Sequence, residues 1–578
     1  MNPALSNRLG TDRTAGGRRH RNARTEPVPP PTYDQYSNRK QMDDMETTTH
    51  SHAVVIGAGI GGLLAARVTS ETFDRVTIVE RDGLPGIPTA RRCVPHARHA
   101  HALTARGLAT IEELFPGFTD DLVGFGAPTG DGQSDFRWVF DGHRWTTGIS
   151  GVRLLVASRP LIEWHLRTLV DALPNVEILD HCAAIGIITD PRRHAITGLA
   201  LSRTSHSRTS HRIADNVLDA DLIVDASGRS SQSQGWLEPL GYPRPEEERL
   251  SIHLTYTTRR YRREPSQIDG DLGIGIGTTP ALPRGGIALA QENKSWIITL
   301  AGYGDDEPPV DPHGFVDFAR SLPAPELGDL ISTAEPIDDG ARYRVPTTVR
   351  RHFDPAHLPR GYLPFGDTIC SFNPVYGQGM SVAALEALIL RDCLRANGAR
   401  VTERFLHKAR PLLDQAWSMS CNSDLRLPFI DGKRTTRARA TNAYVARVHR
   451  AAATDPSVGT AFLRVISLLD HPTTLLRPAT LTRVLRANRT SPPTNTAHTS
   501  AHHYPAGLSP APGLDPASNH PEIAYNCPTP ISAPRPVQDE PDETRHARCA
   551  GRGTRDAHVP SVIHLFSHAE ENGHDANS

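Results

Sequence analysis

The sequence predicts an α/β protein with three parts: a Rossmann-like domain, an inserted mixed β-sheet substrate domain and a C-terminal helical subdomain. Three observations lead to this prediction. A strand, a glycine-rich loop, a helix and a second strand follow one another from residue 52. Alternating apolar and polar residues, typical of strands, mark the stretches 249–264 and 285–303. Apolar residues at helical spacing recur from Thr402 to about residue 487.

The Rossmann-like part begins in the stretch SHAVVIGAGIGGLLAARVTSETFDRVTIVERD. Residues 53–56 form a short apolar strand, residues 63–68 begin a helix, and residues 76–79 form a second strand that ends at Glu80. This order is a βαβ unit, on which dinucleotide-binding domains are built. We therefore predict an FAD/NAD(P)-binding domain here.

The loop between the first strand and the helix carries the motif G-x-G-x-x-G at Gly57, Gly59 and Gly62. The first glycine allows a tight turn, the second lets a pyrophosphate approach the backbone, and the third lets helix and strand pack closely. Glu80 is placed to accept hydrogen bonds from the adenosine ribose hydroxyls. We assign the neighbouring Arg81 to the cofactor site as well.

A second cofactor-contact region is predicted at GDTICSFNPVYGQGM, residues 366–380. A flavin extends far from the first loop and needs such a region, whereas a nicotinamide cofactor alone would leave it unexplained. Residues 363–365 read as a buried strand that is followed by Gly366 and Asp367. The Asp367 carboxylate can then hold the ribityl hydroxyls of FAD.

The same segment ends in a rigid turn and a helix start. Pro374 stiffens the turn beside the flavin ring, and Gly377 and Gly379 bring bare backbone amides to the N-terminus of a helix. Such a terminus stabilises negative charge on the pyrimidine of the reduced flavin. We place Met380 in the cofactor site and expect Phe372 and Asn373, with Pro374, near the face that reacts with oxygen.

With these motifs the sequence resembles the FAD-dependent monooxygenases of the aromatic-hydroxylase class. That class carries an N-terminal G-x-G-x-x-G, a central Asp-containing segment, and a late Gly-Asp followed by a proline and a Gly-x-Gly helix start. The central segment is DLIVDASGRSS, and Asp225 matches its aspartate, which the resemblance places near the pyrophosphate. Ala226 stands where the class usually has glycine, which weakens the inference of NADPH binding.

Two further stretches, 93–117 and 411–428, are similar to a bacterial subgroup of squalene-epoxidase-like enzymes that includes polyether epoxidases. The resemblance runs from about 52 to about 485, and it places Arg98 near the flavin. Arg159 opens a helix and is expected at the cofactor's phosphate side; the alternative is a solvated arginine at a helix start. His96, His99 and His101 form H-x-x-H-x-H without nearby carboxylates, a poor metal-ligand set, so we predict no metal.

The strand-like stretches between the second and third motifs predict a sheet domain, which in the family covers the flavin and forms the substrate pocket. QENKS is expected to link two arms of a hairpin. Tyr256, Trp296 and Ile298 are candidates to line the pocket, the alternative being that they pack on the other face. The predicted domains are a disordered tail (1–51), a discontinuous FAD-binding domain (52–230 and 341–395), the β-sheet substrate domain (231–340), the helical subdomain (396–488) and a second disordered tail (489–578).

The composition excludes several other classes of function. Lys and Arg total 63 and Asp and Glu 64, so no excess charge favours nucleic acid or an anionic membrane as partner.

Seven scattered cysteines without a C-x-x-C pair predict a reducing, cytoplasmic compartment. We expect no integral membrane association and no secretory signal. An organelle-targeting start is disfavoured by its glycines and prolines; translation from Met42 or Met45 is an alternative.

The predicted function is therefore FAD-dependent monooxygenation: one oxygen atom of O2 is inserted into an apolar or aromatic small molecule, by epoxidation or hydroxylation, in secondary metabolism. NAD(P)H is expected as electron donor, with a partner flavin reductase as the alternative. The runner-up is a reductase of the prenyl-reductase type, and a third candidate is a flavin-binding protein without turnover. The halogenase signature G-W-x-W-x-I-P is absent from the sequence.

Overall fold

The computed structural model describes residues 51–101, 103–203, 216–396 and 400–490. The two predicted disordered tails lie outside these ranges, apart from residue 51 and residues 489–490. Among the helices in these ranges, none is both long enough and apolar enough to cross a membrane.

Strands and helices alternate irregularly along the described chain. The strands are β1 (His52–Ile56), β2 (Arg75–Val79), β3 (Thr129–Asp131), β4 (Phe136–Phe140), β5 (His143–Arg144), β6 (Arg153–Leu155), β7 (Val176–Leu179), β8 (Cys182–Thr189), β9 (Ile196–Arg203), β10 (Val217–Asp219), β11 (Leu222–Asp225), β12 (Glu246–Arg262), β13 (Gly273–Ile276), β14 (Arg284–Gln291), β15 (Ser295–Tyr303), β16 (Ala341–His352), β17 (Tyr362–Pro364) and β18 (Cys370–Ser371). The α-helices are α1 (Ile60–Thr69), α2 (Ala105–Leu114), α3 (Phe118–Gly124), α4 (Arg159–Asp171), α5 (Ser233–Leu237), α6 (Pro312–Arg320), α7 (Glu326–Thr333), α8 (Gly379–Arg395), α9 (Val401–Asp424), α10 (Thr436–Ala452), α11 (Pro456–Ile466) and α12 (Pro478–Thr490).

A five-stranded parallel sheet forms the centre of the Rossmann-like part, in the order β17-β11-β1-β2-β7. All five residues of β1 are buried, as expected for a parallel strand covered on both faces. Helices α1, α8 and α9 pack on one face, where Val55, Leu63 and Phe405 share one apolar core. The antiparallel sheet β10-β9-β8 covers the other face, where Val54 and Leu199 share a second core.

The second large sheet has eight strands in the order β18-β16-β12-β15-β14-β13-β4-β5. It is mixed, because β13 and β4 pair in parallel, with Gly273 opposite Phe136, while its other pairs are antiparallel. Its strands therefore come from a wider part of the chain than the predicted range 231–340, because β4 and β5 precede that range and β16 and β18 follow it. The predicted hairpin is confirmed: β14 and β15 pair across a turn in which Asn293 and Lys294 have positive φ.

The two faces of this sheet have different neighbours. Trp296 and Ile298 of β15 lie on the face covered by α6 and α7, in one apolar core with Phe315. Trp296 also donates a hydrogen bond from Nε1 to Oε1 of Gln267 (2.8 Å). Tyr256 lies on the opposite face, in a separate core with Tyr303. Of the two alternatives given for Trp296 and Ile298, the structure therefore supports packing on the other face, because helices cover their side chains.

This burial gives a prediction for Trp296→Ala. The Trp296 side chain is fully buried, so its removal should lower the free energy of unfolding by about 3–5 kcal/mol. Urea unfolding followed by circular dichroism measures the change. Tyr256→Phe is the control on the opposite face, since it removes one hydroxyl and should cost at most about 1.5 kcal/mol. An equal midpoint for Trp296→Ala and the parent protein would contradict this assignment of the face.

The C-terminal region is helical, as predicted, and packs in two places. Phe405, Leu413 and Trp417 of α9 belong to the same apolar core as the parallel sheet, so α9 completes the Rossmann-like part. Helices α10 to α12 form a smaller core with Trp145 and Val152. The helical region thus contacts both the parallel sheet and the hairpin formed by β4 and β5.

Candidate functional site

The predicted cofactor residues gather at the carboxyl ends of four neighbouring parallel strands. The glycine loop follows β1, Glu80 follows β2, Asp225 ends β11, and Gly366 and Asp367 come shortly after β17. In open α/β sheets the ligand site lies outside the carboxyl ends of the strands. Segments that are far apart in the sequence therefore meet at one edge of the parallel sheet.

The three glycines of the first loop are under different constraints. Gly57 has φ +99°, and a Cβ there would lie 2.8 Å from the carbonyl oxygen of Ala226. A Cβ on Gly62 would lie 1.8 Å from the carbonyl oxygen of Gly57, so helix and loop touch at that point. A Cβ on Gly59 would meet no described atom within 4 Å, which leaves the backbone open to a ligand. An open backbone at a helix N-terminus is what binding of a pyrophosphate requires.

Glu80 is held in a fixed orientation by protein donors. It is 6% exposed; its Oε2 accepts a hydrogen bond from the Ala58 amide and its Oε1 one from the Asp82 amide, both 2.9 Å. Nη1 of Arg91 lies 3.0 Å from Oε2 of Glu80, and Nε of Arg91 lies 2.7 Å from Oε1 of Glu163. Burial opposes the charge on Arg91, but Glu163 and Glu80 raise its pKa.

Sequence reasoning missed Arg91 and Glu163. They lie 72 residues apart, and only the fold brings them together. The one signal in the sequence was the arginine pair Arg91 and Arg92 before Cys93. Arg81, predicted beside Glu80, is exposed.

Asp225 is fully buried and accepts hydrogen bonds from four side-chain or backbone donors. Its Oδ1 accepts from the amide (3.1 Å) and the hydroxyl (2.5 Å) of Ser227, and its Oδ2 accepts from the hydroxyls of Ser231 (2.6 Å) and Tyr362 (2.8 Å). Because both carboxylate oxygens accept hydrogen bonds from protein groups, Asp225 fixes the loop after β11 rather than facing an open cleft. The amide of the next residue, Ala226, donates to the carbonyl oxygen of Ile56 (3.1 Å).

The two ends of the segment 366–380 lie close together. Gly366 has φ +63°, and its amide donates to Oε2 of the buried Glu386 (2.8 Å). A Cβ on Gly379 would lie 3.9 Å from Oδ1 of Asp367, so the N-terminus of α8 is adjacent to that carboxylate. The Asp367 residue is exposed to solvent by its surface area, but the protein atoms packed around its carboxyl reduce its solvation and raise its pKa.

Three arginines approach Asp367 from different segments. The charges of Arg229, Arg159 and Arg351 each oppose the rise of its pKa. Arg159 begins α4; its side chain is 12% exposed, and its Nη2 lies 3.4 Å from Oε2 of Glu163. The Nε of Arg159 is buried without a hydrogen-bond partner among the described residues. The Arg159 side chain is therefore largely buried and close enough to act on Asp367, and it is not a solvated residue at a helix start.

Arg98 and the neighbouring histidines lie between the Asp367 region of the candidate cofactor site and the eight-stranded sheet. Arg98 is exposed and lines a surface cleft of about 370 Å³ together with Arg91 and His99. Nδ1 of His99 lies 2.7 Å from the hydroxyl of Thr258, and its ring contacts that of Tyr256 edge-on at 4.8 Å. Burial, and then the charge of Arg98, lowers the pKa of His99 to about 4, so His99 is neutral at physiological pH.

His96 and His101 are neutral for a related reason. Burial, and then the charge of Arg159, lowers the pKa of each ring, that of His101 to about 3. In the part of the chain that the structure describes, no group of three or more His, Cys, Asp or Glu residues is arranged to hold a metal ion. The rings of His96 and His101 lie close together, with centroids 5.8 Å apart, and His99 lines the surface cleft.

The three residues predicted near the oxygen-reacting face differ in their surroundings. Phe372 is 7% exposed and belongs to the main apolar core. Asn373 is fully buried; its Nδ2 donates to Oδ1 of Asp424 (2.7 Å) and to the hydroxyl of Tyr303 (3.1 Å). Of the three, only Pro374 is exposed. Phe372 and Asn373 are therefore both buried, Phe372 in the apolar core and Asn373 by hydrogen bonds to residues distant in the chain, and their place near the oxygen-reacting face stays a prediction.

Comparison with known proteins places this geometry in context. Protein Rv3254 of Mycobacterium tuberculosis (strain ATCC 25618 / H37Rv) is 33% identical over 433 residues, which are 72% of this chain and 90% of that protein. No family model matches the chain.

Several solved flavoproteins share the fold at low sequence identity. PqsL of Pseudomonas aeruginosa, described as a probable FAD-dependent monooxygenase, aligns with a TM-score of 0.50 at 17% identity over 66% of this chain and 97% of its own. A flavoprotein/dehydrogenase of Cytophaga hutchinsonii aligns with a TM-score of 0.54 at 13% identity over 76% and 99%. The flavin-dependent halogenase CmlS aligns with a TM-score of 0.51 at 14% identity over 74% and 79%.

These likenesses confirm the predicted fold class: a Rossmann-like parallel sheet, a mixed sheet and a helical C-terminal region. The chain has the fold of the FAD-binding monooxygenases and belongs to the family of protein Rv3254.

Proposed function

We propose that this chain is an FAD-dependent monooxygenase that inserts one oxygen atom of O2 into an apolar or aromatic small molecule. The observation that carries the proposal is the convergence at the edge of the parallel sheet. An open glycine backbone after β1, an oriented carboxylate after β2 and a second carboxylate, after β17 and beside a helix N-terminus, lie along one edge of the sheet. This set suits a long cofactor in which a pyrophosphate lies between a ribose and a polyhydroxyl chain.

The residues of this cleft fit FAD. The amides around Gly59 would bind the pyrophosphate, Glu80 the adenosine ribose, and Asp367 the ribityl hydroxyls, with Arg159 providing positive charge for the phosphates. Gly377 and Gly379 would offer backbone amides at the N-terminus of α8. Reduced FAD in this position would supply the electrons that activate O2.

Other predicted residues take supporting roles in this proposal. Met380 is 8% exposed with its side chain in the main core, so it would act through its backbone at the start of α8. Asp225 would shape the loop beside the pyrophosphate. Arg81 and Arg98, both exposed, would act through their charge on the phosphate side. Pro374 would be the part of its turn that faces the flavin.

The substrate would bind between the flavin and the eight-stranded sheet. The sheet face with Tyr256, Tyr343 and Tyr303 reaches the late segment, since Tyr303 accepts a hydrogen bond from Asn373. The rings of His99, Tyr256 and Tyr343 lie within 5.8 Å of one another, and they would exclude water and orient an apolar or aromatic ligand. Within this class we place the chain in the squalene-epoxidase-like subgroup, with a role in secondary metabolism, on the strength of the motif resemblance.

The electron donor and the compartment complete the proposal. We propose NAD(P)H as donor, with a partner flavin reductase as the alternative. Cys370, Cys393 and Cys421 are free thiols in the described part of the chain, which supports a reducing, cytoplasmic compartment.

A visible spectrum of the purified protein is the first test. We expect the bands of oxidised flavin, either as purified or after reconstitution with FAD, and bleaching by NADPH or NADH under anaerobic conditions. Substrate-stimulated oxygen consumption then separates a monooxygenase from a reductase, which consumes NAD(P)H without incorporating oxygen, and from a flavin-binding protein without turnover. Absence of bound flavin after reconstitution would overturn the proposal. Bound flavin that neither donor bleaches would point to a partner reductase.

A further inference from the structure

A short turn, residues 373–377, lies within the segment 366–380; its tip is exposed, and its first residue is buried. Pro374 and Val375 are exposed, Val375 at 46%, whereas Asn373 is fully buried. Oδ1 of Asn373 accepts a hydrogen bond from the Val375 amide (3.0 Å), which closes the first half of the turn. Gly377 follows with φ +64°, and α8 begins two residues later. The position of this turn therefore determines the position of the backbone amides that precede α8.

A single carboxylate at the end of α9 holds both ends of the turn. Oδ1 of Asp424 accepts hydrogen bonds from Nδ2 of Asn373 (2.7 Å) and from the hydroxyl of Tyr376 (2.8 Å). The same Nδ2 also donates to the hydroxyl of Tyr303 on β15 (3.1 Å). Asp424 thus joins three parts of the molecule: the turn, the eight-stranded sheet and the C-terminal helices.

The second oxygen of this carboxylate has no partner. Asp424 is 1% exposed, and its Oδ2 is buried without a hydrogen bond among the described residues. A buried carboxylate with one unsolvated oxygen is costly when charged, because nothing replaces the lost water. Burial raises the pKa of Asp424 from its ordinary 3.8 to about 7, against the opposing effect of the hydrogen bonds from Tyr376 and Asn373.

The groups around Asp424 do not supply a compensating charge. Tyr376 faces it from the turn, Tyr303 from β15 and Cys421 from its own helix; burial raises the pKa of all three, so all three are neutral near pH 7. Glu248 and Arg350, on β12 and β16, act with opposite signs on the Cys421 thiol. The charge state of Asp424 therefore changes the electrostatics beneath the turn, and neither of the described groups that donate hydrogen bonds to Asp424 carries a positive charge.

We infer that Asp424 is a positioning residue, which holds the turn 373–377 in the place that cofactor binding requires only while its own carboxyl is protonated. The inference rests on the proposed flavin site for its binding readout. Either form of the carboxyl accepts from Asn373 and Tyr376 through Oδ1, and these two bonds favour the charged form. Only the neutral form avoids burying a charge on a carboxylate whose Oδ2 has no partner among the described residues. A charged one draws water or moves, and it also opposes negative charge at the N-terminus of α8.

The binding test compares Asp424→Asn and Asp424→Ala with the parent protein between pH 5.5 and 8.5, using FAD titrations followed by flavin fluorescence. In the parent protein we expect the Kd for FAD to rise about tenfold as the pH passes through 7. Asp424→Asn keeps an acceptor but cannot ionise, so its Kd should not change with pH across this transition. Asp424→Ala should bind weakly at every pH. Asp431→Asn, the exposed acid just after α9, is the control and should behave like the parent protein.

A second readout needs no flavin. The folded protein keeps a proton on Asp424 up to about pH 7, whereas the unfolded chain releases that proton near pH 4. The free energy of unfolding therefore falls as the pH rises from about 4 to about 7. The parent apoprotein should therefore lose thermal stability relative to Asp424→Asn over that range. Parallel stability curves, or a Kd for Asp424→Asn that keeps the parental pH dependence, would overturn the inference. If no variant binds FAD at any pH, the flavin site is refuted and the stability curves alone decide the role of Asp424.

Discussion

Alanine at Gly62 is expected to prevent folding of the first βαβ unit, whereas alanine at Gly59 should leave the fold intact and abolish tight FAD binding. The added Cβ at Gly62 would lie 1.8 Å from the carbonyl oxygen of Gly57, so helix α1 must move off its strand. We expect Gly62→Ala to cost more than about 4 kcal/mol of stability. At Gly59, φ is −76° and no atom of the described residues lies within 4 Å of the added Cβ, so alanine is tolerated sterically.

The effect of Gly59→Ala should appear in binding instead. A methyl group at the point of closest approach would push the pyrophosphate from the loop amides, and losing one or two charge-assisted hydrogen bonds weakens FAD binding by about 100-fold. Circular dichroism and FAD titration separate the two variants. Gly61→Ala is the matched control, since its Cβ would meet Phe365 at an ordinary 3.7 Å and both properties should be retained. Normal FAD affinity in Gly59→Ala would contradict the location of the pyrophosphate.

Asp367→Ala should purify with little or no flavin. The carboxylate lies next to the N-terminus of α8 and inside a cleft, where hydrogen bonds to charged groups contribute about 1.5–3 kcal/mol each. Loss of one or two such bonds corresponds to a Kd for FAD raised by about 100-fold, measured by the absorbance ratio of flavin to protein and by titration. Asp392→Ala, an exposed acid in α8, is the control. Full yellow occupancy of Asp367→Ala would refute its assignment to the ribityl chain.

The first βαβ unit and the late segment could be predicted because their signals are local. A glycine motif between two apolar strands fixes a turn, a helix start and an acid at a strand end within one short stretch. The convergence of Glu80 and Asp367 on the same sheet edge then follows from the parallel pairing of their strands. The membership of β4 and β5 in the large sheet did not follow, since it depends on a parallel pairing with β13 across more than a hundred residues.

The directions of side chains could not be predicted from the sequence. Period-two alternation shows that Tyr256 and Trp296 are strand residues, but every residue of β15 is buried, so the pattern cannot tell which face meets helices and which meets the cleft. Asn373 sits in a turn by sequence, yet Tyr303 and Asp424, which are distant in the chain, turn its side chain inward. The Arg91–Glu163 pair was missed for the same reason.

The separation of the two faces of the eight-stranded sheet has a consequence for how such an enzyme diversifies. Alternate residues of these strands pack under α6 and α7, while the intervening residues lie on the face that the proposed substrate site uses. Substitutions that alter ligand selectivity and substitutions that erode the fold therefore fall on interleaved positions. A library restricted to Tyr256, Tyr343 and Thr258 would sample new ligand preferences while Trp296 and Ile298 keep the scaffold folded.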